Sequence, residues 1–212
     1  FEAAAAIMLK GMTVRYLIRE TYELAAGETI LVHAAAGGVG TLLCRWASHL
    51  GAKVVGTVGS PEKADLARRN GCHIPILYRE ENVVDRVMAL TDGIGVPVVY
   101  DSVGNSTFLQ SLQCLKKRGL LVSFGQSSGP VEAFDPVLLS RHGSLFMTRP
   151  TLFHYIADRD SLEANAADLF AAVRDGVIPT DVSQVYPLSR AADAHRALEA
   201  RQTTGSTVLT IE

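Results

Sequence analysis

The sequence predicts an α/β protein built on a doubly wound parallel sheet, and three observations lead to that class. From Glu28 onward, short β-branched or apolar runs alternate with helical patterns, as parallel strands joined by crossover helices do. Most of the runs are almost continuously apolar, which is expected of strands covered by helices on both faces. A glycine-rich turn separates the first run from the first amphipathic helix.

The elements follow in order. The chain opens on Phe1-Glu2-Ala3-Ala4-Ala5-Ala6-Ile7-Met8-Leu9, which reads as a helix already under way and leads to the expectation that the sequence starts inside a longer protein. Strands are expected at 29–34, 53–58, 74–78, 97–101, 120–124 and 145–148. Between the first two, Val39, Leu42, Leu43, Trp46, Ala47 and Leu50 recur at helical spacing, and Gly51 stops the helix. Ser60 and Pro61 provide an N-cap and a first-turn proline for a helix through Asn70, ended by Gly71. Phe108, Leu112 and Leu115 stripe a further helix, which Lys116, Lys117, Arg118 and Gly119 are expected to close, cations being favoured at the negative end of the helix dipole. Beyond Pro150 the rhythm changes to a helix at 160–174, a strand at 184–188, a helix at 191–200 and a strand at 207–211. The chain therefore divides into a helical segment 1–27, a dinucleotide-binding domain 28–150, and C-terminal helices with return strands at 151–212.

Composition excludes several function classes. Lys and Arg total 20 against 22 Asp and Glu, so no net positive field favours nucleic acid or an anionic membrane. The longest stretch without a formal charge, 29–44, is interrupted by Gly37, Gly38 and Gly40 and falls short of the roughly 20 apolar residues that a spanning helix needs. Cys44, Cys72 and Cys114 lie far apart without a C-x-x-C, so neither a disulfide framework nor a cysteine zinc site is expected, and a reducing, cytoplasmic setting fits. His33, His49, His73, His142, His154 and His195 show no metal-ligand spacing, so no metal is expected. Tyr16, Tyr22 and Trp46 read as packing residues.

The chemistry concentrates at turns. In residues 33–40, Ala35, Gly37 and Gly40 occupy the three positions of a dinucleotide fingerprint, between a strand and an amphipathic helix whose N-terminus would meet a pyrophosphate. About 20 residues on, NAD-using sites usually place an acid against the ribose hydroxyls. Here the chain reads Gly59-Ser60-Pro61-Glu62-Lys63 instead, and a hydroxyl at a helix N-terminus with a cation one turn later suits a 2′-phosphate, hence NADPH.

HAAAGGVG at 33–40, GTVGSPEKA at 56–64, YREEN at 78–82, YDSVG at 100–104, VSFGQSSG at 122–129 and GSLFMTRP at 143–150 together resemble the quinone oxidoreductase family, the zeta-crystallin-like, zinc-free medium-chain dehydrogenases. The resemblance covers nearly the whole chain. It implies a Rossmann domain, a GroES-like domain missing from this sequence, NADPH-dependent quinone reduction, and homodimers joined at a sheet edge, here the strand from Leu145 to Thr148. Carried over residue by residue, it implies that Gly37, Gly38, Val39 and Gly40 bind the pyrophosphate, Lys63 the 2′-phosphate, and Tyr78 the adenosine phosphate. Ser102 then lies near the adenine end, Phe124, Gly125 and Ser127 pass the nicotinamide, and Arg201 closes on the cofactor. The zinc-using relatives place a ligand cysteine in the segment matching 6–13, and this chain has no cysteine before Cys44.

A quinone accepting hydride becomes a delocalised phenolate that a nearby cation can stabilise. Arg149, just past the sixth strand, resembles a family residue close to the quinone and is the candidate for that role. Two rival functions share the motifs: an NADPH-dependent reductase of enals or 2-enoyl thioesters, and a non-catalytic nucleotide-binding or structural protein.

Overall fold

The computed structural model describes residues 1–200 and 202–211. Helix α1 (Glu2–Tyr16) opens with an acid and carries Arg15 in its last turn, both matched to the helix dipole, and passes into one π-turn, Leu17–Thr21. The order then runs β1 (Thr29–Val32), α2 (Gly38–His49), β2 (Lys53–Val58), α3 (Pro61–Arg69), β3 (Ile74–Leu77), α4 (Val83–Leu90), β4 (Val96–Asp101), α5 (Phe108–Cys114) and β5 (Leu115–Ser123). It continues through α6 (Val137–Arg141), β6 (Phe146–Thr148), α7 (Leu152–Tyr155), α8 (Arg159–Arg174), β7 (Gln184–Pro187), α9 (Ala191–Glu199) and β8 (Thr207–Thr210).

The first six strands form one parallel sheet in the order β3-β2-β1-β4-β5-β6. Its strand order reverses between β1 and β4, which opens a crevice outside their carboxyl ends, where ligands of doubly wound sheets bind. Ile30, Val32, Val54, Val98 and Tyr100 point to one face with α1, α2 and α8, whereas Leu31, Val55, Val99 and Leu121 point to the other with α4 and α5. Side chains alternate across a strand, so both faces of each central strand are apolar. Helix α1 shares the first of these cores with the sheet. Strands β7 and β8 form a separate two-stranded parallel sheet.

Most expected elements stand within one or two residues of their expected ends, and one differs in kind. Lys116, Lys117 and Arg118 lie in β5, not in the last turn of a helix. Buried Leu115 pairs with Val96, and pairing resumes between Val98 and Leu120, so the basic residues are carried outward where the register shifts. Arg118 takes φ 61°, and its amide donates to the Gly143 carbonyl.

Candidate active site

The turn between β1 and α2 is tight and glycine-rich. Helix α2 starts from Gly37 with no side-chain cap, so its first-turn amides, which no intrahelical carbonyl can reach, face the crevice. The backbone is drawn tightly under them: the Gly37 amide donates to the Ala34 carbonyl at 2.9 Å, and a Cβ on Gly40 would stand 2.2 Å from that same oxygen. Thr41 returns its hydroxyl to the Gly37 carbonyl at 3.0 Å. These uncapped amides and the small residues around them fit a dinucleotide pyrophosphate.

At the end of β2, Ser60 caps α3 by accepting from the Lys63 amide. Its hydroxyl also bonds the Glu62 carboxyl, which holds that acid below the ordinary carboxylate value. A Cβ on Gly59 would stand 2.7 Å from the Tyr78 hydroxyl, so Tyr78, leaving β3, leans across the end of β2 toward the start of α3. Gly59, Ser60 and the Tyr78 hydroxyl thus stand together at the end of β2, with Lys63 in the first turn of α3.

The loops after β4 and β5 are stitched together. Ser127 and Ser128 donate their amides to the carbonyls of Ser102 and Val103, and the Phe124 amide donates to the Asp101 carbonyl. Ser102, Phe124 and Gly125 thereby reach the wall of a cleft of about 680 Å³, while Ser127 is exposed on the adjoining loop. Arg149 lines the far wall, exposed, and its guanidinium donates to the Ser123 carbonyl at 2.8 Å. Arg201 lies outside the described residues.

Helix α1 supplies a wall that the sequence did not disclose. Lys10, Thr13 and Tyr16, spaced three apart, all face the cleft. Lys10 Nζ donates to Ser206 Oγ at 3.0 Å, and Ser206 in turn donates to the Ala6 carbonyl, so the C-terminal segment is tied to α1. Gly205 of that segment also donates its amide to the Ala36 carbonyl in the glycine turn. Burial holds the Lys10 ammonium below its ordinary value. Tyr16 is not only a packing residue: its ring stacks on Tyr155 at 4.3 Å, and burial with neighbouring Tyr155 pushes its hydroxyl up to about 12 against the pull of Arg149. The readable signal was three polar residues at a spacing of three on a helix whose other charged side chains, Glu2 and Arg15, stand near its two ends. Trp46 and Tyr22 stay in the packing: Trp46 is buried, and the Tyr22 hydroxyl donates to Glu28.

No group of three or more His, Cys, Asp or Glu side chains that could hold a metal ion exists among the described residues. Cys44, Cys72 and Cys114 are free and buried, and no helix among the described residues is long and apolar enough to cross a membrane.

Comparison with known proteins agrees with this architecture. A quinone oxidoreductase of Pseudomonas aeruginosa is 56% identical over 99% of the chain, and a 2-haloacrylate reductase of a Burkholderia species is 45% identical over 97%. The crystal structure of Escherichia coli quinone oxidoreductase complexed with NADPH superposes with a TM-score of 0.97 at 51% identity, covering 99% of this chain and 65% of that one. The chain spans 64% of the length of the Pseudomonas relative and 62% of the Burkholderia one. The profile described as zinc-binding dehydrogenase matches residues 38–172, and the chain belongs to that family.

Proposed function

We propose that this chain binds NADPH in the crevice between β1 and β4 and that the protein uses it to reduce quinones. The observation that carries the cofactor reading is the corner at the end of β2, where a glycine stands in place of the acid with the Tyr78 hydroxyl close to it, and Ser60 caps the helix whose first turn carries Lys63. In this reading Gly37, Gly38, Val39 and Gly40 present backbone amides to the pyrophosphate, and Ser60, Lys63 and Tyr78 receive the 2′-phosphate. Ser102 lies toward the adenine end, and Phe124, Gly125 and Ser127 border the nicotinamide. When bound, the reduced nicotinamide supplies a hydride. Arg149 stabilises negative charge as it develops on the acceptor, and its bond to the Ser123 carbonyl keeps the guanidinium at the cleft wall. Tyr16 and Lys10 add polar groups to a largely apolar surface, which orients a flat, electron-poor substrate. The description of the family names zinc, but the described residues supply no donor set for it, and no step here passes through a metal.

Two further elements belong to this reading. Strand β6 is the last strand of the sheet, with Phe146 exposed on it, and it forms a homodimer by pairing with its symmetry mate. The cytoplasm, where three free buried thiols stay reduced, is the compartment.

The likeness to a 2-haloacrylate reductase supports a second reading, reduction of an electron-poor alkene in the same cleft. NADPH oxidation measured with a series of quinones and of conjugated alkenes decides between the two readings. Turnover confined to quinones supports the first, and turnover confined to alkenes supports the second.

A further inference from the structure

His33 leaves β1 just before the glycine turn and is wholly buried, with a partner on each ring nitrogen. Nδ1 lies 3.0 Å from Thr57 Oγ1, and Nε2 lies 3.1 Å from Ser111 Oγ. Distances alone leave the proton positions open, but Asp101 decides them. Its carboxylate accepts from the amides of Val103 and Gly104, from the Thr107 hydroxyl, and from the Ser111 hydroxyl at 2.8 Å. A carboxylate only accepts, so Ser111 directs its single proton to Asp101 and must accept from Nε2–H of His33. Nδ1 is then the acceptor, Thr57 donates to it, and the Thr57 oxygen accepts from the Ala34 amide at 3.2 Å. One unbroken direction of donation runs from Ala34 through Thr57, His33 and Ser111 to Asp101.

We infer that His33, held as the Nε2–H tautomer in this one-way chain, is a positioning residue that locks the glycine turn to the loop after β4. The two loops leave neighbouring strands on either side of the crevice, and no other side-chain chain of hydrogen bonds joins them among the described residues. Asp101 extends the lock, because its carboxylate also holds the first amides of the loop that carries Ser102. Each member of the chain is satisfied only while its neighbours keep their direction, which is what makes a buried polar network rigid. Burial adds to this, disfavouring the charged imidazole against the opposing attraction of Asp101, and a doubly protonated ring would have no acceptor left for Thr57. Breaking the chain at either end therefore loosens the far loop as well as the near one. This inference rests on the NADPH reading for its consequence, since the locked loops are the proposed seats of the pyrophosphate and of the adenine end.

Long-range nitrogen–proton NMR on the nucleotide-free, full-length protein reads the tautomer directly. The expected spectrum has a protonated Nε2 and a bare Nδ1 at His33, and the opposite tautomer or a doubly protonated ring overturns the inference. Hydrogen exchange in Thr57→Val and Ser111→Ala reads the coupling. Amides at 35–40 and at 103–104 should both lose protection in either variant, and Thr57→Ser should restore it, whereas loss confined to the substituted side overturns the coupling. Because the two variants act at opposite ends, failure of one to fold leaves the other decisive. NADPH should bind roughly 5- to 30-fold more weakly to Thr57→Val. A wild-type protein with the expected tautomer and coupling but no NADPH affinity would refute the cofactor reading alone. NADPH binding that Thr57→Val leaves unchanged would refute the positioning role alone.

Discussion

The Tyr78 hydroxyl stands 2.7 Å from the position that a Cβ on Gly59 would take. Any side chain at 59 must displace that hydroxyl, so the missing acid and the placement of Tyr78 are a single adaptation of the corner proposed for the 2′-phosphate. Lys63→Ala removes the cation from the corner without touching the glycine turn. It should weaken NADPH by roughly 1.5 to 3 kcal/mol, the range for a charge-assisted hydrogen bond, and leave NADH nearly unchanged. Calorimetric titration of both nucleotides checks this, and equal weakening of the two contradicts the assignment.

Gly40→Ala should damage the turn itself. The new Cβ would meet the Ala34 carbonyl oxygen at 2.2 Å, and the obstacle is backbone that no rotamer change can move aside. A loss of about 1 to 3 kcal/mol in folding stability is expected, as for other overpacked substitutions, together with loss of NADPH and NADH binding alike. Urea unfolding combined with nucleotide titration reads both effects. Intact binding of either nucleotide would show that the turn does not seat the pyrophosphate.

The sheet and its glycine turn were legible in the sequence because each signal is local. Apolar runs, the capping residue Ser60, and stops such as Gly51 and Gly71 sit beside the elements they define. The basic run after α5 was misread because its register shift depends on Leu115 finding Val96, a partner that no local pattern names. Lys10, Thr13 and Tyr16 escaped for the same reason. Their face of α1 meets the glycine turn only through tertiary packing, and Lys10 finds Ser206, 196 positions away, only in the folded chain. The role of His33 was not legible, because its partners Thr57 and Ser111 come from another strand and a helix.

Acid should destabilise the fold through His33. Burial lowers its ionisation from the ordinary value of 6.5, and Asp101, the charged group joined to it through Ser111, opposes the shift without reversing it. The unfolded chain then binds the proton more readily than the folded one. The contribution of neutral His33 is complete above about pH 6.5 and is lost as pH falls below that value. Urea midpoints measured between pH 8 and 5 should decline at the acid end, and His33→Gln should flatten the decline relative to the wild-type protein. An unchanged slope in that variant contradicts the buried neutral imidazole.

Phe146→Pro should convert the proposed dimer to monomer. Proline removes one backbone donor from β6, whose pairing with β5 spans only Phe146 to Thr148 and leaves the interior strands untouched. Light scattering gives the mass, and circular dichroism confirms that the sheet persists. A dimeric mass with an intact fold would place the interface elsewhere.

Quinone-dependent oxidation of NADPH by the full-length protein tests the central claim most directly, with NADH run in parallel at saturating quinone. The account predicts turnover with NADPH, a clearly higher kcat/KM for NADPH than for NADH, and loss of that preference in Lys63→Ala. Equal kcat/KM for the two nucleotides, or no nucleotide oxidation with any quinone, would contradict it.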